Sequence, residues 1–144
     1  MSDLSGTRVL VVDDNVSWLR VVTEELAKAS VHVVGTAADG VEAIDKARAL
    51  RPDVIIMDLA MPRLNGLDAA REIRGFAAAT AILMVSNEGG APSVRAAFAA
   101  GARGYMLKST AAIELRGALE TIVRGGLFVG FGLTKEDAAP GKKE

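Results

Sequence analysis

The sequence predicts an α/β fold in which one parallel sheet of five strands is covered by five helices. Strand-like and helix-like segments alternate along the chain, and such alternation builds a parallel sheet with helices on both faces. The strand-like segments are apolar on both faces, which is typical of strands buried between two helical layers. The chain has 144 residues and 50% hydrophobic content, which suits one core and is too short for two ordinary domains.

Each predicted strand is a short apolar run that stops at a polar side chain or at glycine. The first run contains four consecutive apolar residues before Asp13, and the third is apolar up to Asp58. Runs of this length are typical of buried strands rather than of helices. The strands are predicted at residues 7–12, 31–35, 53–57, 81–85 and 104–107.

The helices are predicted from apolar residues that recur every three to four positions, with charged residues between them. Asp14 or Asn15 can cap the first helix, and Pro92 is tolerated in the first turn of the fourth. The pair Asn65-Gly66 indicates a turn before the third helix. The helices are predicted at residues 16–29, 40–50, 67–74, 92–100 and 111–124.

We divide the chain into a domain at residues 1–126 and a C-terminal part at residues 127–144. Within the C-terminal part, residues 127–133 are apolar and glycine-rich, and the remainder has the composition of a flexible tail. Two interpretations of residues 127–133 stand equal. Either they dock on a neighbouring protein, or they pack back on their own domain.

Composition limits the classes of function. The net charge is -1, which gives no broad basic surface for nucleic acid, and no apolar run approaches the roughly 20 residues of a membrane helix. The chain has no cysteine, so disulfide and thiolate chemistry are excluded, and its N-terminus lacks a signal-peptide pattern. We therefore expect a cytoplasmic protein that binds neither membrane nor nucleic acid directly.

Polar residues stand at the ends of four predicted strands. Asp13 and Asp14 follow the first strand, Asp58 the third, Ser86 the fourth and Lys108 the fifth. In an open parallel sheet, ligand sites form beyond the carboxyl ends of the strands, at the switch point in strand order. A sheet order of 2-1-3-4-5 brings all five side chains together. A single aspartate after a strand is more often a helix cap, but five polar residues at matching positions indicate a site.

The charges of this cluster indicate a divalent cation. Three carboxylates within about 5 Å repel one another by roughly 3 kcal/mol per pair at an effective dielectric constant near 20. Oxygen ligands without histidine or cysteine favour partly hydrated Mg²⁺. Lys108 adds a positive charge beside Asp58, and Ser86 adds a hydroxyl donor. A carboxylate between a divalent cation and an ammonium suits a planar PO₃ group, which predicts that Asp58 is a nucleophile that forms an acyl phosphate.

These residues resemble the receiver domain of two-component response regulators. The motifs that carry the resemblance are Asp13-Asp14, residues 58–62 followed by Gly66, Ser86, and residues 100–108. The resemblance covers about residues 8–126 and implies a flavodoxin-like, doubly wound sheet. The residues around Lys108 are closest to the subfamily that carries a helix-turn-helix output domain, which residues 125–144 are too few to encode. We therefore expect a single-domain regulator or a chain that stops at a linker.

The resemblance implies a role for each residue of the cluster. Asp58 would be the phosphoacceptor. Asp14 and Asp58 would ligate Mg²⁺ directly, together with the backbone carbonyl of Ala60, while Asp13 would act mainly through water. Lys108 would pair with the phosphoryl oxygens.

The resemblance also implies a switch and its partners. Ser86 would move toward the phosphoryl group, and Tyr105 would turn inward into the space that it vacates, which would alter the face formed by helix 4, strand 5 and helix 5. The phosphoryl donor would be a phosphohistidine on a sensor histidine kinase or a phosphotransfer protein. The downstream partner is open, and a phosphorylation-linked homodimer is one outcome.

Two positions depart from the family pattern or bear on the lifetime of the phosphoryl group. Asn87 stands where the family usually has a small residue, and Glu88 stands near the path of an attacking water. We hypothesise that Ala60, Asn87 and Glu88 tune the lifetime of phosphorylated Asp58. The alternative function is a phosphorylation-independent, receiver-like interaction module. Haloacid dehalogenase-like hydrolases need a second aspartate where this chain has Ala60, so we expect no enzyme beyond its own phosphorylation and dephosphorylation.

Overall fold

The computed structural model describes residues 4–133, in which strands and helices alternate as the sequence predicts. The strands are β1 Arg8–Val12, β2 His32–Ala37, β3 Val54–Asp58, β4 Ala81–Ser86, β5 Gly104–Leu107 and β6 Phe128–Val129. The helices are α1 Val16–Lys28, α2 Gly40–Leu50, α3 Gly66–Phe76, α4 Ala91–Ala99 and α5 Ala111–Val123. A 3₁₀ turn, Lys108–Thr110, joins β5 to α5. None of the helices within residues 4–133 is long and apolar enough to cross a membrane.

The sheet is parallel throughout, in the order β2-β1-β3-β4-β5-β6. The order of the first five strands is as predicted, but the prediction of five strands is wrong by one. The sixth strand pairs with β5, with Val129 opposite Tyr105. The sixth strand forms because the outer edge of β5 has backbone N–H and C=O groups that gain partners when an extended segment lies beside them.

Residues 127–133 therefore lie against their own domain, which is one of the two interpretations drawn from the sequence. The predicted flexible tail falls mainly on residues 134–144, which lie outside the described residues. The domain boundary at residue 126 remains a prediction.

The strand ends differ from the prediction in a way that matters for the site. Asp58 and Ser86 are the last residues of β3 and β4 rather than the first residues after them. Asp58 is paired in register with Val85, and Ser86 with Leu107. The backbone pairing of the sheet therefore includes Asp58 and Ser86 themselves, which fixes the main chain that carries these two polar side chains.

Two apolar clusters cover the two faces of the sheet. Side chains alternate between them along each central strand, so that in β1 Leu10 faces the first cluster and Val11 the second. The first cluster packs under α2, α3 and α4, and the second under α1 and α5. This period-two burial on both faces explains the uninterrupted apolar runs in the sequence.

Candidate functional site

A cleft of about 340 Å³ lies at the carboxyl ends of β1, β3, β4 and β5. It is lined by Asp14, Asn15, Asp58, Leu59, Ala60, Ser86, Asn87, Glu88 and Lys108. A larger cavity of about 570 Å³ lies at the opposite ends of the strands, and none of the predicted site residues lines it. The strand order thus brings the predicted cluster together at the carboxyl ends of the strands, where ligand sites form in open parallel sheets.

Three carboxylates form the acidic part of the cluster. Asp13, Asp14 and Asp58 each place one oxygen within 4.8 Å of the other two. Asp13 and Asp58 are buried, whereas Asp14 is exposed to the cleft. Asp13 Oδ1 accepts the backbone N–H of Asn15 at 2.8 Å, which fixes the orientation of its carboxylate.

Lys108 provides a positive charge beside two of these carboxylates. Its Nζ lies 2.7 Å from Asp13 Oδ2 and 3.7 Å from Asp58 Oδ2. The contact with Asp13 is a close ion pair between a buried carboxylate and a largely buried ammonium. The ring of Trp18 lies 5.3 Å from the same Nζ, which is within the range of a cation–π contact.

The cluster changes the acidity of Asp58. Burial, with repulsion from Asp13 and to a lesser extent Asp14, raises the pKa of Asp58 from 3.8 to about 6. The charge of Lys108 and a hydrogen bond from the backbone N–H of Ala60 lower this pKa in part. Asp58 is therefore harder to ionise than an ordinary carboxyl group, and a cation in the cleft would favour its ionised form.

The residues present fit a magnesium ion. The donor set consists of hard oxygens, and the three carboxylates lie close together. A divalent cation at this place would reduce the repulsion that raises the pKa of Asp58. Asp13, Asp14 and Asp58 are the side chains that could hold it.

Ser86, Glu88 and Tyr105 are joined by two hydrogen bonds. The Ser86 Oγ accepts the backbone N–H of Glu88 at 3.0 Å, and the Tyr105 hydroxyl donates to the backbone carbonyl of Glu88 at 2.6 Å. The Tyr105 side chain is fully buried, and burial raises the pKa of its hydroxyl. Tyr105 thus lies inward here, while its movement on phosphorylation remains a prediction.

The loop after Asp58 is held tightly against the strand end. The Gly66 N–H donates to the Leu59 carbonyl at 2.8 Å, and a Cβ on Gly66 would lie only 2.4 Å from the Asp58 carbonyl oxygen. Further along the loop, the Arg63 guanidinium donates to both carboxylate oxygens of Asp39, at 2.9 and 3.1 Å. The packing of this loop therefore fixes the main chain that carries Asp58 and Ala60.

Sequence reasoning placed all five polar residues at the site but missed one neighbour. Trp18 packs on the second cluster, and its ring also lies beside Lys108. The only signal in the sequence was its position in the first turn of the helix that follows the aspartate pair. Ala60, Asn87 and Glu88 are all exposed at the rim of the cleft, where tuning residues are expected.

Comparison with known proteins agrees with this architecture. The response regulator receiver domain family matches residues 9–120. The chain is 37% identical over 103 residues to the chemotaxis protein CheY of Thermotoga maritima, covering 72% of this chain and 86% of that protein. It is 41% identical over 108 residues to a protein-glutamate methylesterase/protein-glutamine glutaminase of a Nocardioides species, covering 73% of this chain but only 30% of that protein.

A solved structure gives the same result. The signal receiver domain of the putative response regulator NarL from Mycobacterium tuberculosis superposes with a TM-score of 0.80 at 32% identity, covering 84% of this chain and 98% of that one. The family match at residues 9–120 includes the strand ends that form the cleft. This chain belongs to the response regulator receiver domain family of two-component systems.

Proposed function

We propose that this chain is a phosphorylation-activated signalling switch that accepts a phosphoryl group on Asp58 in a Mg²⁺-dependent reaction. The observation that carries the proposal is the position of Asp58, buried in a cleft between two other carboxylates and the ammonium of Lys108. The donor is a phosphohistidine on a sensor histidine kinase or a phosphotransfer protein. The receiver acts on itself and on no separate substrate.

Transfer forms one bond and breaks another at phosphorus. The ionised Asp58 carboxylate oxygen forms the new O–P bond as the P–N bond of the donor breaks, and the donor imidazole keeps the electron pair of that bond. Lys108, whose Nζ lies 3.7 Å from Asp58, neutralises charge on the phosphoryl oxygens, and Ser86 donates its hydroxyl to them. Asp14, Asp58 and the backbone carbonyl of Ala60 would hold Mg²⁺, and Asp13 would act through water. When bound, Mg²⁺ would supply positive charge that stabilises the phosphoryl oxygens.

Phosphorylation then alters the face formed by α4, β5 and α5. The two hydrogen bonds that join Ser86, the Glu88 backbone and Tyr105 connect the cleft to β5. A Ser86 hydroxyl drawn toward a phosphoryl oxygen changes this network, and a packed core responds to such a change by moving between discrete arrangements. This face is where we place the downstream protein partner, including a second copy of the chain.

Intact mass spectrometry after incubation with acetyl phosphate and Mg²⁺ tests the proposal. The wild-type chain is expected to gain the mass of one phosphoryl group, and Asp58→Asn is expected to gain none. Removal of Mg²⁺ with EDTA should abolish the gain in the wild type. Asp53→Asn, a change of an exposed aspartate at the opposite ends of the strands, serves as a control that keeps the gain.

The second candidate is a phosphorylation-independent interaction module. It is favoured by Asn87, which occupies the rim of the cleft with a large amide side chain, and by Lys108, which lies closer to Asp13 than to Asp58. A chain that gains no mass with acetyl phosphate, but gains it after Asn87→Ala, supports this second function.

A further inference from the structure

The segment of residues 127–133, here named the C-terminal strap, is bound along the outer edge of β5. The Phe128 N–H donates to the Arg103 carbonyl and the Gly130 N–H donates to the Tyr105 carbonyl, each at 2.9 Å. Gly130 lies close to the β5 backbone, since a Cβ added to it would lie 3.2 Å from Met106 Cα. The strap therefore takes the hydrogen-bonding positions that a strand from another protein would need.

The strap is also fastened by side chains of the domain. Glu114 in α5 accepts the Phe131 N–H at 2.5 Å through one carboxylate oxygen and the Thr110 hydroxyl at 2.7 Å through the other. At the end of the strap, Leu133 packs against the first core cluster and lies beside Gly89, where an added Cβ would be 2.8 Å from Leu133 Cδ2. The strap thus touches the loop between β4 and α4 as well as β5.

That loop connects the strap to the phosphorylation site. Gly89 follows Glu88, whose N–H is held by the Ser86 Oγ and whose carbonyl is held by the Tyr105 hydroxyl. The backbone carbonyl of the same Tyr105 accepts the Gly130 N–H of the strap. Two contacts, one through Gly89 and one through Tyr105, therefore join the strap to the residues that a phosphoryl group on Asp58 would move.

We propose that the C-terminal strap is a displaceable ligand of the β5 edge, and that phosphorylation of Asp58 loosens it and opens this edge to an extended segment of a partner protein. The inference rests on the proposed function. A Ser86 hydroxyl that turns toward a phosphoryl oxygen releases the Glu88 N–H, and the loop then withdraws Gly89 from Leu133. The strap joins the sheet at only two residue pairs, Gly104 with Phe128 and Tyr105 with Val129, and its side chains there are only partly buried, so we expect it to open more easily than the central strands.

The partner is defined by the chemistry of the edge. Once the strap leaves, the backbone groups of β5 that it pairs can bind any extended main chain. The apolar surface under Val129 and Leu133 then selects apolar side chains at matching positions. This is recognition by strand addition, in which main-chain hydrogen bonds give affinity and side-chain pockets give specificity. The strap excludes such partners until it is displaced.

Amide hydrogen exchange with Mg²⁺ and beryllofluoride, a mimic of the phosphoryl group, tests the coupling. The amides of Phe128 and Gly130 are expected to exchange at least roughly fivefold faster when the mimic is bound, as typical coupling energies imply. The Ala81 amide, which donates to the Asp53 carbonyl at the opposite ends of the strands, should not change and reports on the whole fold. Suppose that mass spectrometry shows phosphorylation on Asp58 but exchange at Gly130 is unchanged or slower. This result would overturn the inference and leave the proposed function in place.

The reverse effect is tested with a variant of the strap. Gly130→Pro removes the N–H that binds Tyr105 and should raise the affinity for beryllofluoride by the same factor, because coupling between two sites is reciprocal. Phe131→Ala is the matched control, since that side chain is exposed and the main chain is unchanged. Wild-type affinity in Gly130→Pro, with normal protection at Ala81, would contradict the coupling. A wild-type chain that acetyl phosphate leaves unmodified would instead fail the proposed function, and the inference with it.

Discussion

Asp58 combines burial with a fixed set of charges, and this combination sets its chemistry. Burial of the carboxylate and the neighbouring charge of Asp13 raise its pKa, and the charge of Lys108 lowers it in part. The balance leaves the pKa at about 6, so the group is mostly ionised at neutral pH but at an energetic cost. A carboxylate in this state gains from any cation that enters the cleft, which supports the proposed dependence of phosphorylation on Mg²⁺.

The acidity of Asp58 predicts how stability depends on pH. The pKa of Asp58 is higher in the folded chain than in the unfolded chain, so protonation of Asp58 favours the folded state. This stabilisation is complete below about pH 4 and is lost as the pH rises through 6. Asp58→Asn should therefore raise the free energy of unfolding at pH 7.5 in EDTA by on the order of 1–3 kcal/mol, with the gain vanishing near pH 4. Urea denaturation at several pH values measures it.

The control for this prediction is Asp45→Asn, which changes an exposed carboxylate of α2. It should give no comparable gain. A difference between Asp58→Asn and the wild type that stays constant from pH 4 to pH 8 would rule out the raised pKa as its cause.

Glu88 is predicted to affect the lifetime of the phosphoryl group through its exposed side chain. Its backbone is fixed by Ser86 and Tyr105, so Glu88→Ala leaves those hydrogen bonds in place and removes only the carboxylate at the rim. We expect the dephosphorylation rate to change by roughly threefold or more. This is a modest threshold, because a positioned acid or base usually changes a rate by more. Phosphate release from the phosphorylated chain gives this rate. An unchanged rate removes Glu88 from the tuning residues.

At the scale of the elements, the loop between β3 and α3 holds the site in place. Gly66 begins α3 and lies against the Asp58 carbonyl, where no side chain fits. Asn65 caps the helix by accepting the Asp68 N–H at 3.0 Å. The start of α3 and the end of β3 are therefore one rigid unit, which keeps Asp58 and Ala60 at fixed positions.

Two glycines of α3 give a matched test of this unit. Gly66→Ala should lower the free energy of unfolding by about 1–3 kcal/mol, because the added methyl group overlaps the Asp58 backbone. Gly75→Ala, in the last turn of the same helix and with open space around it, should be neutral or stabilising by up to about 1 kcal/mol. Thermal or urea denaturation of both variants decides. Equal effects would show that the close approach at Gly66 does not hold the site.

The elements also show where sequence reasoning works and where it stops. The apolar runs and the polar residues at their ends predict β1 to β5 and the site cluster, because burial on both faces leaves a pattern in the sequence. The strand β6 leaves only a weak pattern, since its two residues lie within a short apolar, glycine-rich segment and pair because β5 offers an edge. The hydrogen bond from Tyr105 to a backbone carbonyl is equally invisible, because any residue at position 88 would provide that carbonyl.

In the whole molecule, the acidic cleft and the C-terminal strap lie at different parts of the sheet. The cleft lies where β1 and β3 meet, at the switch point of the sheet, while the strap closes the distant edge beside β5. Ser86, the Glu88 backbone and Tyr105 lie between the two. A change of charge at Asp58 thus has a physical connection to the surface where a partner would bind.

The proposed function depends most on which residue accepts the phosphoryl group. The most direct measurement treats the wild-type chain with acetyl phosphate and Mg²⁺, reduces the acyl phosphate with borohydride, and locates the modified residue by peptide mass spectrometry. The account predicts conversion of Asp58, alone among the aspartates, to the reduced alcohol. Modification at Asp13 or Asp14, or no modification with either acetyl phosphate or a phosphorylated histidine donor, would contradict it.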